Sequence, residues 1–327
     1  MRIRLHALLL AALAFVTGSA LAQETTLRVN VFPGSSNLAL LMGIDKGFFA
    51  KRGLKIVVQN TPNSDEQRAG LAKGAFDIAH AAVDNAVAMV EGAKADAVIV
   101  MGGDGGMNDF MVRPEINSIA DVRGKVLAVD APNTAYALVA KKILKMNGLT
   151  EGRDYTVRAV GGTLMRSKAL ATDPALAASM VNPPFSFTVH EQGVKSLGRA
   201  FDLIGPYQAS GAFVMRPWAK AHANELERYL AAYIESVRYA TDPAHRAEAM
   251  AMLEKRFKLA PKIAEQTYAA LMTPGFGLAP DARFDMEGFR RVLSLRAEIE
   301  GQWGGVAPAP DKYLDLGYYE RALKTLQ

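Results

Sequence analysis

The residues best suited to hold a small molecule are asparagines that recur where apolar runs give way to polar turns: Asn37, Asn63, Asn85, Asn133 and Asn182. An amide side chain both donates and accepts hydrogen bonds, so a ring of such groups suits a polar, largely neutral ligand. Asparagine is also a standard helix cap, which is the competing reading at each position. Ser35, Ser36, Ser64 and Thr134 stand at expected helix starts, where backbone N–H groups can take a carboxylate or sulfonate without a basic side chain. Thr163 occupies a comparable strand end later in the chain. Phe32, Tyr136 and Phe185 can flank a ring or fill the core. Asp84 and Asp104 can pair with an amine, or serve as cap and turn residues. Arg166 is the nearest basic residue to these loops and reads equally as a surface residue of its helix.

Chemistry beyond binding has little to work with. The chain contains no cysteine, so neither a thiol nucleophile nor a disulfide is available. Beyond residue 22 the histidines are His80, His190, His222 and His245, far apart and without metal-site spacing, so no metal and no cofactor is expected. His80 alone falls inside an expected strand, where it reads as a buried, hydrogen-bonded support for the site. Residues 102–106 are glycine-rich but lack both the G-x-G-x-x-G spacing and a G-K-[ST] ending, and they read as a turn near a cleft.

For these groups to converge they must sit at the carboxyl ends of parallel strands, where loops hand over to helix N-termini. The hydropathy pattern supplies that arrangement. Residues 27–32 are apolar at every second position and read as a strand entering the turn Pro33-Gly34-Ser35-Ser36-Asn37. Residues 38–50 carry helical spacing, with Lys51 and Arg52 in the last turn and Gly53 as the stop. Further strands are expected at 54–59, 76–83, 97–101, 125–130, 155–160, 175–181 and 211–215. The run 76–83 is apolar almost throughout, as in a parallel strand covered on both faces. From Trp218 onward the chain is helical, and Leu226, Leu230, Ile234 and Val237 share one face. Strand alternates with helix, which predicts an α/β fold.

One unit occurs twice. Residues 61–92 run from a polar turn through a short helix and a buried strand to Asp84-Asn85, and residues 161–193 repeat that order up to Asn182-Pro183-Pro184. A unit used twice in 327 residues predicts two similar lobes. The expected division is a first lobe at 23–112, a second at 113–205, and a return to the first with C-terminal helices at 206–327. Crossings near 111–115 and 204–212 are the expected hinge.

At the N-terminus Arg2 and Arg4 precede an apolar run at 7–16 and the small-residue site Ala20-Leu21-Ala22. This is the pattern of a signal peptide, 1–22, cleaved after Ala22. Losing Arg2 and Arg4 takes the formal charge from +5 to +3, and the remaining basic residues are scattered among acidic ones, so no nucleic-acid partner is expected. The mature chain is read as a monomer.

Gly43-Ile44-Asp45-Lys46-Gly47-Phe48-Phe49-Ala50-Lys51-Arg52-Gly53-Leu54 resembles the "A-x-x-x-G-[FY]-F-x-x-x-G-L" segment of the alkanesulfonate-, taurine- and thiamine-precursor-binding proteins of ABC importers, the SsuA/THI5-like family. Leu71, Gly74 and Asp77 match its "L-x-x-G-x-x-D" element, and Asp121-Val122-Arg123-Gly124-Lys125-Val126 its "L-x-G-K-x-x-x-V" crossing. The likeness covers nearly the whole chain. It implies the two-lobed periplasmic-binding-protein fold of type II, each lobe a parallel-rich sheet flanked by helices, with the C-terminal helices packing on lobe 1. It also implies a periplasmic protein that captures a small organic solute (a sulfonate, an aromatic carboxylate or a pyrimidine-like compound) between the lobes. The solute would pass to an inner-membrane ABC permease driven by a separate ATPase. The alternative the family allows is an enzyme on the same scaffold, acting on a thiamine- or menaquinone-type precursor. One departure stands out: Thr172-Asp173-Pro174 replaces the Gly and Asp that the family carries ahead of its second-copy strand, and Asn182-Pro183-Pro184-Phe185 follows, altering that wall of the cleft.

Overall fold

The structure, a computed structural model, describes residues 24–327; the expected signal peptide lies outside them. Ten strands alternate with helices along the chain: β1 (Thr25–Val31), β2 (Leu54–Asn60), β3 (Ile78–Ala82), β4 (Ala97–Asp104), β5 (Asp109–Val112), β6 (Lys125–Val129), β7 (Tyr155–Ala159), β8 (Leu176–Val181), β9 (Lys195–Arg199) and β10 (Ser210–Met215). They form two five-stranded sheets, ordered β2-β1-β3-β10-β4 and β7-β6-β8-β5-β9. In each sheet four strands run parallel and one, β10 or β5, is inserted antiparallel at the fourth place. These inserted strands are the ones that follow the two crossings between the sheets. The all-buried apolar runs of β4 and β8 are covered on both faces.

The repeated unit is visible as structure. Helix Ser64–Ala72, β3 and helix Asp84–Glu91 in the first half correspond to helix Thr163–Thr172, β8 and helix Phe185–His190 in the second. β3 and β8 hold the same third position in their sheets.

Three local expectations are corrected. Asp109–Val112, read as part of the first lobe and the start of a hinge, pairs in the second sheet with β8 and β9 because Phe110 and Val112 are fully buried there. The first crossing is therefore 105–108, earlier than 111–115. Its glycines are required: a Cβ on Gly105 would lie 2.0 Å from the Gly275 carbonyl oxygen, and Gly106 has φ +100°. The expected helix 38–50 stops at Asp45, with Gly47 left-handed at φ +74°. Strand β9 and helix Ala200–Ile204 escaped notice because β9 is a polar strand with no buried residue at the sheet edge.

Helix Ala223–Thr241 buries Leu226, Leu230, Ile234 and Val237 in the core of the first sheet together with helix Leu38–Asp45. Helix Met286–Glu300 also reaches the second lobe: Lys141 and Lys142 of helix Ala135–Met146 bond Glu300 at 3.3 Å and Glu298 at 2.7 Å. A second buried cluster runs from Leu71 and Ile99 through Phe289 and Leu293 to Leu127 and Leu144, so apolar packing is continuous between the lobes on one side. Among the described residues no helix is long and apolar enough to cross a membrane.

Two polar contacts, one buried and one partly buried, fix the C-terminal helices. Arg296 and Asp84, each 1% exposed, form a bidentate ion pair with Arg296 Nη2 2.7 Å from Asp84 Oδ2, and the same nitrogen donates to the Asn133 carbonyl at 2.9 Å. On the face of β3, His80 Nε2 and the Tyr229 hydroxyl share a hydrogen bond of 2.8 Å beneath the ring of Tyr233.

Removing one partner of a buried ion pair costs about 3–5 kcal/mol because the other charge is stranded. Arg296→Met is expected to lose that much in urea unfolding, and adding Asp84→Asn to recover part of it; a double variant no more stable than the single one contradicts the assignment. Burial lowers the His80 imidazole from 6.5 to about 4. Above pH 6.5 both folded and unfolded chains keep it neutral, while between 6.5 and about 4 only the unfolded chain takes the proton. Stability should therefore fall with pH across that window, by roughly 3 kcal/mol in all. Burial raises Asp104, and raises Asp109 to about 6, which works in the opposite direction. The measurement is thus the difference between wild type and His80→Gln, which should be constant above pH 7 and shift against the wild type on acidification.

Candidate functional site

The carboxyl ends of β1, β3, β4, β6 and β8 face a common cavity between the two sheets. It is lined from the first lobe by Phe32, Pro33, Ser36, Asn37, Ser64, His80, Asn85, Asp104 and Ser210, and from the second by Asp130, Thr134, Tyr136, Gly162, Thr163, Arg166 and Asn182. Tyr233 reaches in from helix Ala223–Thr241.

Of the candidate residues named from sequence, Phe32, Ser36, Asn37, Ser64, Asn85, Asp104, Thr134, Tyr136, Thr163, Arg166 and Asn182 come together here. The others are placed elsewhere. Asn63 is the cap of helix Ser64–Ala72, its Oδ1 accepting from the Glu66 N–H at 2.8 Å. Asp84 is consumed by Arg296. Asn133 is exposed and offers only its carbonyl, to Arg296. Ser35 is buried and donates to the Pro183 carbonyl at 2.9 Å, a bond across the cleft. Phe185 packs in the second-lobe core beside Val181 and Val189.

Arg166 is the main correction on the site. Far from lying on the surface, it is 2% exposed and lines the cavity. Its Nε donates to Ser179 Oγ at 3.2 Å, Nη1 to the Gly161 carbonyl at 2.8 Å, and Nη2 to Thr163 Oγ1 at 3.0 Å and the Met180 carbonyl at 3.1 Å. Every acceptor is neutral, and one of the five guanidinium N–H groups is left over. Burial pushes its pKa down, opposed by the charge of Asp130, which does not bond it, and by Tyr136. The sequence signal was the short polar step Gly161-Gly162-Thr163, which turns the first face of the helix toward the cleft.

Asp130 is itself committed. Its Oδ2 accepts from the Ser64 N–H at 3.1 Å and from the Ser64 hydroxyl, so a carboxylate of the second lobe sits on a helix N-terminus of the first. Since the single Ser64 hydroxyl proton goes to Asp130, Ser64 Oγ must accept from Asn85 Nδ2, 3.3 Å away. That fixes the Asn85 amide and leaves its Oδ1 buried without a partner, as is Oδ1 of Asn182 in the other lobe. Asn37 is held by its Nδ2, which donates to the Phe32 carbonyl at 2.7 Å. Across the cleft Gly162 N–H donates to the Pro62 carbonyl at 2.8 Å, an approach closed to any larger residue because a Cβ there would lie 2.9 Å from that oxygen. His80, expected as a buried support, is that and also part of the cavity wall, held neutral by burial.

Solved structures share this architecture. The periplasmic nitrate-binding protein NrtA of Synechocystis PCC 6803 superposes with a TM-score of 0.77 at 15% identity, over 93% of this chain and 89% of that one. The alkanesulfonate-binding protein SsuA of Xanthomonas axonopodis pv. citri, bound to MOPS, does so with 0.69 at 17%, over 91% and 98%. The desulfurization enzyme DSZB also matches, with 0.62 at 13% over 92% and 99%. Such identities establish the periplasmic-binding-protein fold. No curated protein sequence matches the chain. The NMT1-like family profile matches residues 20–254, most of the sequence, and the chain belongs to the NMT1-like family.

Proposed function

We propose that this protein is the solute-binding component of an ABC importer. Exported to the periplasm by its N-terminal segment, it captures a small organic solute in the interlobe cavity and presents it to a permease driven by a separate ATPase. The observation that carries the reading is Arg166: a buried guanidinium at the cavity wall whose hydrogen bonds all go to neutral oxygens. A cation so placed is costly unless a partner brings negative charge. The ligand therefore carries an anionic group, which favours a sulfonate or an aromatic carboxylate over a neutral pyrimidine. Thr163 and the N-terminus of its helix assist, and Phe32 and Tyr136 supply aromatic faces. Nitrate- and sulfonate-binding proteins among the structural neighbours agree with an anion-binding role.

An enzyme on the same scaffold is represented by the desulfurization enzyme, and fold alone does not choose between the two. At this cavity nothing favours catalysis: the imidazole of His80 is spent on Tyr229, and Asp130 on Ser64.

Native mass spectrometry of the gently purified protein is expected to show a bound organic anion that is lost on denaturation. Arg166→Gln should lack the adduct, and its affinity for the identified compound should fall at least tenfold, with the matching loss of ligand-induced thermal stabilisation. Retention of the adduct by that variant contradicts the assignment.

A further inference from the structure

We infer that the cavity is built for a zwitterion, its anionic end at Arg166 on the second-lobe wall and a cationic, N–H-donating end at Asp104 on the first. The inference rests on the proposed function for the Arg166 end; the Asp104 end stands on separate observations. Asp104 closes β4, is 5% exposed and lines the cavity. Its Oδ1 accepts from the Gly106 N–H at 2.8 Å and its Oδ2 from the Ser210 hydroxyl, and no lysine, arginine or histidine bonds it. Both partners are neutral, so burial raises its pKa with no positive charge to offset the effect. A buried carboxyl in this state gains from a cation as Arg166 gains from an anion.

Asn85 and Asn182, on opposite walls, each hold a buried Oδ1 without a hydrogen-bond partner, and the aromatic residues Tyr136, Tyr233 and Phe32 line the same cavity, a setting compatible with an ammonium group. The third charged residue of the lining, Asp130, is bonded to Ser64 of the other lobe, while no carboxylate bonds Arg166 and no cation bonds Asp104. Tyr136 lines the same cavity; burial raises its pKa most, Asp104 raises it further and Arg166 lowers it. A ligand joining the two ends spans the cavity that Tyr136 lines.

The test is calorimetric titration of the wild-type protein with ω-aminoalkanesulfonates and ω-amino carboxylates of two to five carbons and with 4-(aminomethyl)benzoate, each beside its des-amino counterpart. The amino compound of at least one pair is expected to bind ten or more times more tightly than its counterpart. Asp104→Asn should remove that advantage. Des-amino anions that bind wild type as tightly as their partners overturn the zwitterion and leave the proposed function standing. A panel with no ligand of either kind overturns both. The wild-type comparison decides these outcomes even if Asp104→Asn does not fold.

Discussion

One guanidinium joins three segments that are distant in the chain. Arg296, on the helix Met286–Glu300, pairs with Asp84 at the start of helix Asp84–Glu91 and donates to the carbonyl of Asn133 ahead of helix Ala135–Met146. Taking both charges out of water is unfavourable, and only good geometry with the remaining N–H satisfied offsets it. The pair therefore tolerates little displacement. The residue after each contact is a cavity residue: Asn85 follows Asp84, and Thr134 follows Asn133. A C-terminal helix that touches no ligand thus sets where one polar group from each lobe stands.

The two lobes also meet through polar bonds, Ser64 to Asp130, Ser35 to the Pro183 carbonyl and Gly162 to the Pro62 carbonyl, and Phe187 and Phe201 of the second lobe pack on the first-lobe core. Each such bond contributes about 0.5–1.5 kcal/mol net, because water replaces it when it breaks. On the anchored side the lobes share a continuous apolar cluster through Phe289 and Leu293, whose exposure has no such replacement. The lobes are thus held by polar bonds that water can replace and by apolar packing that it cannot. The crossings at 105–108 and 205–209, which contain Gly105, Gly106 and Gly205, are the connections between the two sheets.

Much of the fold was legible because it rests on local rules. Alternating and continuous apolar runs located eight of the ten strands, while Asp109–Val112 was read only as an extended crossing and Lys195–Arg199 was missed, and the repeated unit revealed two equivalent halves. Asn85 and Asn182, picked out by that repeat, both reached the cavity, while Asn63 and Asn133 did not. Asparagine caps helices and binds ligands with the same atoms, so type and position alone do not separate the two roles. Asp84 went astray for a different reason: its partner lies more than two hundred residues away, and no pattern near Asp84 announces Arg296. Arg166 was misplaced because arginine is ordinarily exposed; burying it took four neutral acceptors brought from β8, its own helix and the preceding turn.

The unpartnered oxygens of Asn85 and Asn182 bear on how binding and closure are linked. A buried acceptor without a donor costs about 1–3 kcal/mol. One such oxygen belongs to each lobe, and each lies at the end of the buried strand of its copy of the repeat. If parting of the lobes admits water to both, the cost belongs to the closed arrangement alone. A molecule that brings donors to both oxygens removes that cost only when the lobes are together, and it therefore favours closure through its contacts with both walls rather than with either one. Ligands too short to reach both, or lacking donors, leave part of the cost in place. The same two amides that make the empty closed cavity unfavourable thereby select what fills it.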